Sequence, residues 1–457
     1  MTDFITPSSF AEGGPLLPED ALGHDAFART LLRHVRQAPV GTVIALQGSW
    51  GLGKTSALAR VAKLTHQEEL PGFAAGALWI NPWQYGTADL LTPLVLALVE
   101  RGVRAVEGKR RDRGALERAA GSLALAGLSF GAKAASLSLP GGVLWEKGGE
   151  ELRKVAHTWL EPKSPNGPPV DPVAQMASSF RELVEAALDA DQRAVGGRLL
   201  ICIDDLDRCL PPRQVALLEA LNFLTSAGAP ASFLVALDPT LARQAVRAHY
   251  KTDDFDPDRY LDKMFHLRVN LPGVGPDQLR ALLSSRLREG VTDDDGERSL
   301  RVRLVDRFGE NAGRLDELGT QALTVSDLRN PRLVDRALRK LRVLVGSPSV
   351  GAARKFGVDE ARLLLWWLAV TERWPNLRTA LQEAGDDPKE VTRRYEQIDG
   401  RCRGQSAQGR LPASVERLPT PEMSPELAEA LGAVRLNPRD AALILLQHDR
   451  ALIAAGL

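Results

Sequence analysis

Gly48-Ser49-Trp50-Gly51-Leu52-Gly53-Lys54-Thr55 carries the chemistry most plainly written in this chain. The spacing G-x-x-x-x-G-K-T belongs to a loop that wraps a polyphosphate with backbone N–H groups, and side chains at its three glycines would crowd the ligand. Lys54 would set its ammonium on the β- and γ-phosphates. Thr55 would give its hydroxyl to Mg²⁺, and Ser56 completes the binding stretch 48–56. The alternative is a glycine-rich turn that binds nothing. The flanks speak against it: Thr42-Val43-Ile44-Ala45-Leu46-Gln47 reads as a strand, and Ser56-Ala57-Leu58-Ala59-Arg60-Val61-Ala62 as a helix. A strand, a glycine loop and a helix N-terminus are the context the motif requires.

Such a loop needs an acidic partner on a neighbouring strand. Leu199-Leu200-Ile201-Cys202-Ile203 is apolar throughout, and Asp204-Asp205-Leu206-Asp207-Arg208 follows at its C-terminal end. Ligands bind at that end of a parallel α/β sheet. Asp204 is the natural partner of Mg²⁺, through a bound water or a hydrogen bond to one of the metal's ligands. Asp205 could polarise the attacking water, with Asp207 competing for that role. One of the three could instead belong to a solvated turn with helix caps, because Pro211-Pro212 open a helix just beyond.

Other residues carry two readings each. Asp238 ends an apolar strand, where it either meets the γ-phosphate or its water, or caps the helix that begins at Pro239. Arg332 follows Pro331 at a helix start and either reaches a phosphate or lies on the surface. Arg208 and Arg259 are candidate arginine fingers, acting in cis or from a neighbouring subunit, and each also reads as structural. Trp50 is unusual in a phosphate loop and is expected to pack that loop against Trp83 or Tyr85.

Elements that position these residues follow from the periodicity. Strands are expected near 42–47, 77–81, 199–204, 232–237 and 266–270, with helices at 21–38, 89–105, 172–190, 212–227 and 276–288. That alternation gives an α/β fold with a mostly parallel sheet covered by helices on both faces. One strand, 77–81, falls between the phosphate loop and the Asp204 strand, and an inserted strand opens a gap in which a base could stand beside the γ-phosphate. After about 297 the strand signal stops, and 300–308, 331–344 and 358–381 read as helices. The division along the chain is then a loose arm (1–19), a first core segment (20–105), an insert (106–170), a second core segment (171–296), a helical domain (297–400), and a linker with a helical tail (401–457).

Composition sets outer limits. The 457 residues hold 58 Lys plus Arg against 58 Asp plus Glu, so global charge gives no argument for nucleic acid or membrane, and only local patches could. The insert has such a patch in Arg101, Arg104, Lys109, Arg110, Arg111 and Arg113, followed by fourteen uncharged residues at 119–132. That run is too short to span a bilayer, which needs about 20 apolar residues, and Lys133 and Pro140 interrupt its continuation. It reads either as a small helical insert or as a surface (101–145) that meets anionic lipid or nucleic acid. The three cysteines, Cys202, Cys209 and Cys402, have no metal-ligand spacing and point to a reduced, cytoplasmic setting; the N-terminus shows no secretory signal. A protein partner or self-association is expected, and peripheral attachment to the inner membrane is the alternative location.

Taken in order, the motifs resemble the KAP family of P-loop NTPases. The carriers are the tryptophan-bearing phosphate loop, the strand ending Asp204-Asp205-Leu206-Asp207-Arg208-Cys209, Asn81-Pro82-Trp83, Tyr260-Leu261-Asp262-Lys263 and Asn330-Pro331-Arg332. The resemblance implies ATP and Mg²⁺ as ligands, hydrolysis, a C-terminal helical lid, and a signalling or conflict role, since the family includes bacterial phage-exclusion proteins. It also implies that Leu22 and Phe27 line an adenine pocket. Position 205 departs from the pattern: many hydrolytic relatives of this sheet type carry Glu, and the shorter Asp suits slow turnover. The only near match to a guanine motif, Asn437-Pro438-Arg439-Asp440, lies in the tail, so ATP is favoured over GTP.

Overall fold

The computed structural model describes residues 19–65, 73, 76–85, 94, 98, 172–189, 197–251, 255–288, 290–293, 296–299, 302, 315–325, 328–346, 358–385, 387–405 and 411–432. Outside them lie the insert 106–170 with its basic run, the arm 1–18, most of the helices expected at 89–105 and 300–308, and the tail beyond 432. Two compact units make up the chain. One runs Gly23–Leu271, and the other joins Glu19–Leu22 to the chain from Pro272 onward.

The first unit contains α1 (His24–Gln37), β1 (Val43–Gln47), α2 (Lys54–Leu64), β2 (Leu78–Ile80), α3 (Pro172–Asp189), β3 (Leu199–Ile203), α4 (Pro211–Ser226), β4 (Ala231–Leu237), α5 (Pro239–Tyr250), α6 (Pro257–Met264) and β5 (Leu267–Asn270). One-turn 3-10 helices, Pro82–Tyr85 and Leu206–Arg208, follow β2 and β3. All five strands pair in parallel, in the order β2-β3-β4-β1-β5. This is the α/β sheet the periodicity predicts, with one correction. The strand that stands between β1 and β3 is β4, not the 77–81 strand, which forms the far edge beside β3. The residue inserted between the phosphate loop and the Asp204 strand is therefore Asp238, at the end of β4.

Every residue of β1, β3 and β4 is buried, as a strand covered on both faces must be. Side chains alternate between the two faces with the period of two that strands impose. Val43, Ala45, Ile201, Ile203, Phe233 and Val235 enter one core with Phe180 and Leu183 of α3 and Leu217 and Leu221 of α4. Ile44, Leu46, Leu200, Cys202, Leu234 and Ala236 enter the other with Leu31 and Leu32 of α1 and Leu58 and Val61 of α2. Helices α5 and α6 begin the same way. Asp238 and Asp256 cap them with carboxylates that accept from the second and third N–H groups beyond, and a proline takes the first helical position.

In the second unit, α7 (Pro276–Arg288) and a hairpin of β6 (Gly290–Asp293) and β7 (Gly296–Ser299) precede α8 (Leu315–Val325), α9 (Pro331–Gly346), α10 (Val358–Arg373), α11 (Pro375–Gln382), α12 (Pro388–Cys402), α13 (Ala413–Glu416) and α14 (Pro425–Gly432). The division between units thus falls after Leu271, whereas the strand signal along the sequence extends the core to 296. The single helix expected over 358–381 breaks at Trp374, because Pro375 lacks an N–H and excludes the helical backbone from the residue before it. Trp366, Trp367, Leu377, Val391 and Ile398 form the core here, together with Val415 and Leu418. The last two lie in the stretch read as a linker, 401–425, and pack into this core. The Glu372 carboxylate is buried on α10 and held by two cations of α9: Arg336 Nε at 3.0 Å, and Lys340.

Phe233 stacks on Phe180 with ring centroids 6.5 Å apart and is fully buried at the sheet centre. Phe233→Ala should lower the stability of this unit by about 3–5 kcal/mol, read from urea denaturation followed by circular dichroism.

Candidate nucleotide-binding site

The phosphate loop is a backbone structure before it is a binding site. Gly51 and Gly53 take φ of 83° and 102°, in the left-handed region that side chains disfavour. Gly53 has a second reason to lack a side chain: a Cβ there would lie 2.7 Å from Cε1 of the buried His24, at the start of α1. Leu52 N donates to Ser49 O at 3.2 Å across the loop, and Gly48 N donates to Leu237 O at 3.2 Å, tying its entry to β4. Asp238 holds the loop's middle. Its Oδ2 accepts from Trp50 N at 2.9 Å while its Oδ1 accepts from Thr240 N at 2.9 Å. Asp238 is thus a helix cap, its second reading, and it also braces the loop.

Lys54 opens α2, and the rest of its side chain turns back over the loop. Its Nζ donates to Gly48 O at 2.9 Å and Ser49 O at 3.4 Å, and pairs with Asp207 Oδ2 at 3.0 Å. Beside it, the Thr55 side chain is hydrogen-bonded to Asp204. Asp204 is 2 % exposed. Burial, and after it the charge of Asp205, pushes its carboxyl up to about 7, against the opposing pull of the Thr55 hydrogen bond. The loop ending at Lys54 and the carboxylate pair ending β3 thus meet in one place, as their spacing along the chain anticipates.

Asp205 sits one residue beyond, with φ of 56°. Both of its carboxylate oxygens are engaged: Oδ2 accepts from Asn81 Nδ2 at 2.7 Å, and Oδ1 pairs with Arg208 Nε at 2.8 Å. Asn81 is the member of this site that motif reading left without a role. The signal was available, since it is a polar residue at the C-terminal end of an apolar strand that pairs with β3. Arg208, a finger candidate, is occupied with Asp205, and its guanidinium lies 5.5 Å from the centre of the Trp83 ring. Trp50 does not pack into the core as expected: it is 47 % exposed, and Trp83 is 48 % exposed. Phe27 packs at the edge of the α1–α2 core. Arg259 lies exposed in the first turn of α6. Arg332 and Leu22 belong to the second unit; the Arg332 backbone N–H donates to Asn330 Oδ1 at 3.0 Å in the first turn of α9.

The profile of the KAP family P-loop domain matches residues 25–346. The chain belongs to that family. No curated protein sequence matches it. Among solved structures, the Aeropyrum pernix ORC2 protein, in ADPNP and ADP complexes, aligns at 14% identity over 96% of each chain with a TM-score of 0.32, a likeness too loose to rest anything on. The glycine loop, Lys54, Asp204 and Asp238 all lie within the residues that match the family.

All three cysteines are buried free thiols, and burial pushes Cys209 up to about 11 and Cys402 to about 12. Among the described residues no helix is long and apolar enough to cross a membrane. Nor does any group of three or more His, Cys, Asp or Glu among them form a metal cage. Mg²⁺ needs none, because it is commonly held by one or two carboxylates, waters and the phosphates of its substrate.

The raised pKa of Asp204 has a consequence for stability. A group whose folded pKa lies above its unfolded value binds more protons when folded, so stability falls as pH rises from the unfolded value towards about 7. Asp204→Asn keeps an acceptor for Thr55 and removes the charge. In EDTA it should raise the melting temperature at pH 7.5, and the gain should shrink steadily as pH falls towards 4, by differential scanning fluorimetry across pH.

Proposed function

We propose that this protein binds ATP with Mg²⁺ and hydrolyses the γ-phosphate, and that the cycle serves as a conformational switch. The observation that carries the reading is the contact between Thr55 and Asp204, directly beside Lys54. A buried carboxylate among two further carboxylates, touching a hydroxyl, is a hard oxygen set short of positive charge. That is the donor chemistry suited to Mg²⁺, which Thr55 and Asp204 would hold and which would neutralise charge on the transferring phosphoryl group. The loop amides of 48–56 and Lys54 orient the β- and γ-phosphates.

Asp205 is the base in this reading. Asn81 and Arg208 fix the direction of its carboxylate, yet each oxygen keeps a lone pair for a water proton. Water oxygen attacks γ-phosphorus in line, the bond to the β–γ bridging oxygen breaks, and the water proton passes to Asp205. Asp238 acts by keeping Trp50 N and the loop in place. Defence against phage, through a protein partner or self-association in the cytoplasm, is the biological role that family membership suggests.

A second reading, a scaffold gated by nucleotide with negligible turnover, is favoured by the shortness of Asp205 and the engagement of both its oxygens. Phosphate release by purified protein separates the two. Lys54→Ala and Asp204→Asn should abolish Mg²⁺-dependent release. Asp205→Asn should lower kcat by roughly 10²–10⁴-fold while ATP affinity stays within about threefold of wild type. Release that persists unchanged in all three variants would rule out this site as its source.

A further inference from the structure

The ammonium of Lys54 has three protons and three acceptors: Gly48 O, Ser49 O and Asp207 Oδ2. No proton is left for a phosphate. Of the three acceptors, two are carbonyls of the loop itself, whose position is fixed by Gly48 N on Leu237 O and by Trp50 N on Asp238. Asp207 is the only anion and the only side chain among them. Both partners of the ion pair are buried, the side chains being 8 % and 5 % exposed, so water screens the pair poorly. Asp207 Oδ2 has no hydrogen-bond partner beyond that ammonium.

We propose that Asp207 is the displaceable counter-ion of Lys54, a positioning residue that holds the lysine back on its loop and sets the nucleotide affinity through it. The proposal rests on the nucleotide-binding reading of the loop and adds a role that reading does not contain. A triphosphate entering the loop must take Lys54 from Asp207, and it meets the charge of Asp207 as it does so. Binding is therefore weakened twice by one carboxylate: by the pair that must break, and by repulsion between the freed carboxylate and the γ-phosphate. The amide of asparagine is close to the carboxylate in size, accepts a hydrogen bond from Lys54, and carries no charge.

Titration calorimetry with ATP, in EDTA and again with Mg²⁺, tests this on the full chain as wild type, Asp207→Asn, Asp207→Ser and Asp207→Glu. The EDTA arm keeps any loss of metal affinity out of the comparison. The two neutral variants should bind ATP about tenfold tighter or more than wild type in EDTA, and Asp207→Glu should stay near the wild-type value. The serine variant provides the reading if the asparagine variant does not fold. Neutral variants that bind with the wild-type Kd, or more weakly, overturn the proposal while leaving the nucleotide reading intact. Uptake by the neutral variants alone supports it in its strongest form. No uptake by any of the four proteins overturns the nucleotide reading and this proposal together.

Discussion

The site depends on one meeting across the sheet, that of the Thr55 hydroxyl with the Asp204 carboxylate. Their strands are not neighbours. β4 separates β1 from β3, so the two chain segments leave the sheet roughly 9.6 Å apart, two strand spacings. Neither backbone can close that distance. Thr55 reaches across from the first turn of α2, and Asp204 reaches from the first position after β3. Between them, Asp238 ends the inserted strand and takes the loop's Trp50 N–H. The sheet order therefore brings Thr55 to Asp204 and leaves Asp238 to brace the loop.

Charge is the second constraint, and it follows from the first. Three carboxylates, Asp204, Asp205 and Asp207, converge within four residues, and the protein sets two cations against them. Lys54 goes to Asp207 and Arg208 to Asp205, which leaves Asp204 with a neutral hydroxyl, buried and raised in pKa. The unmet charge is thus confined to the one carboxylate that also touches Thr55. Each other group near the site has a structural assignment of its own. Asn81 orients Asp205, and Arg213 Nη2 donates to Pro82 O at 2.5 Å, tying α4 to the turn that carries Trp83.

Much of this is legible in the residues alone. The phosphate loop announces itself through glycines that the backbone does require at 51 and 53, and four of the five strands can be placed because they are short, mostly apolar runs, while the fifth, Leu267–Asn270, is mixed. What cannot be read depends on spatial order. Nothing in a sequence says that the strand ending at Asp238, the fourth along the chain, slots between the first and third, and chain order alone puts the inserted strand at 77–81. Trp50 is expected to pack its loop against Trp83 or Tyr85 in the core, yet Trp50 and Trp83 are about half exposed, and Arg208 lies over the Trp83 ring. The stretch after Arg401 looks like a linker because its prolines and polar residues outnumber Cys402, Val415 and Leu418, the buried side chains of this core that lie in it.

The departure at position 205 finds a local cause in the backbone. Glutamate there would reach one methylene further. The residue has φ of 56°, and it is one of two described non-glycine residues with positive φ. Aspartate and asparagine tolerate that region better than glutamate, because a short polar side chain can bond to nearby backbone. The left-handed turn is what directs the chain from β3 into the Leu206–Arg208 helix and so aims Asp207 at Lys54. A longer acid at 205 would sit less easily in that turn, and the turn is needed to bring Asp207 to the lysine. Reach at 205 and the ion pair at 207 are competing demands on three consecutive residues, and this chain resolves them in favour of the ion pair.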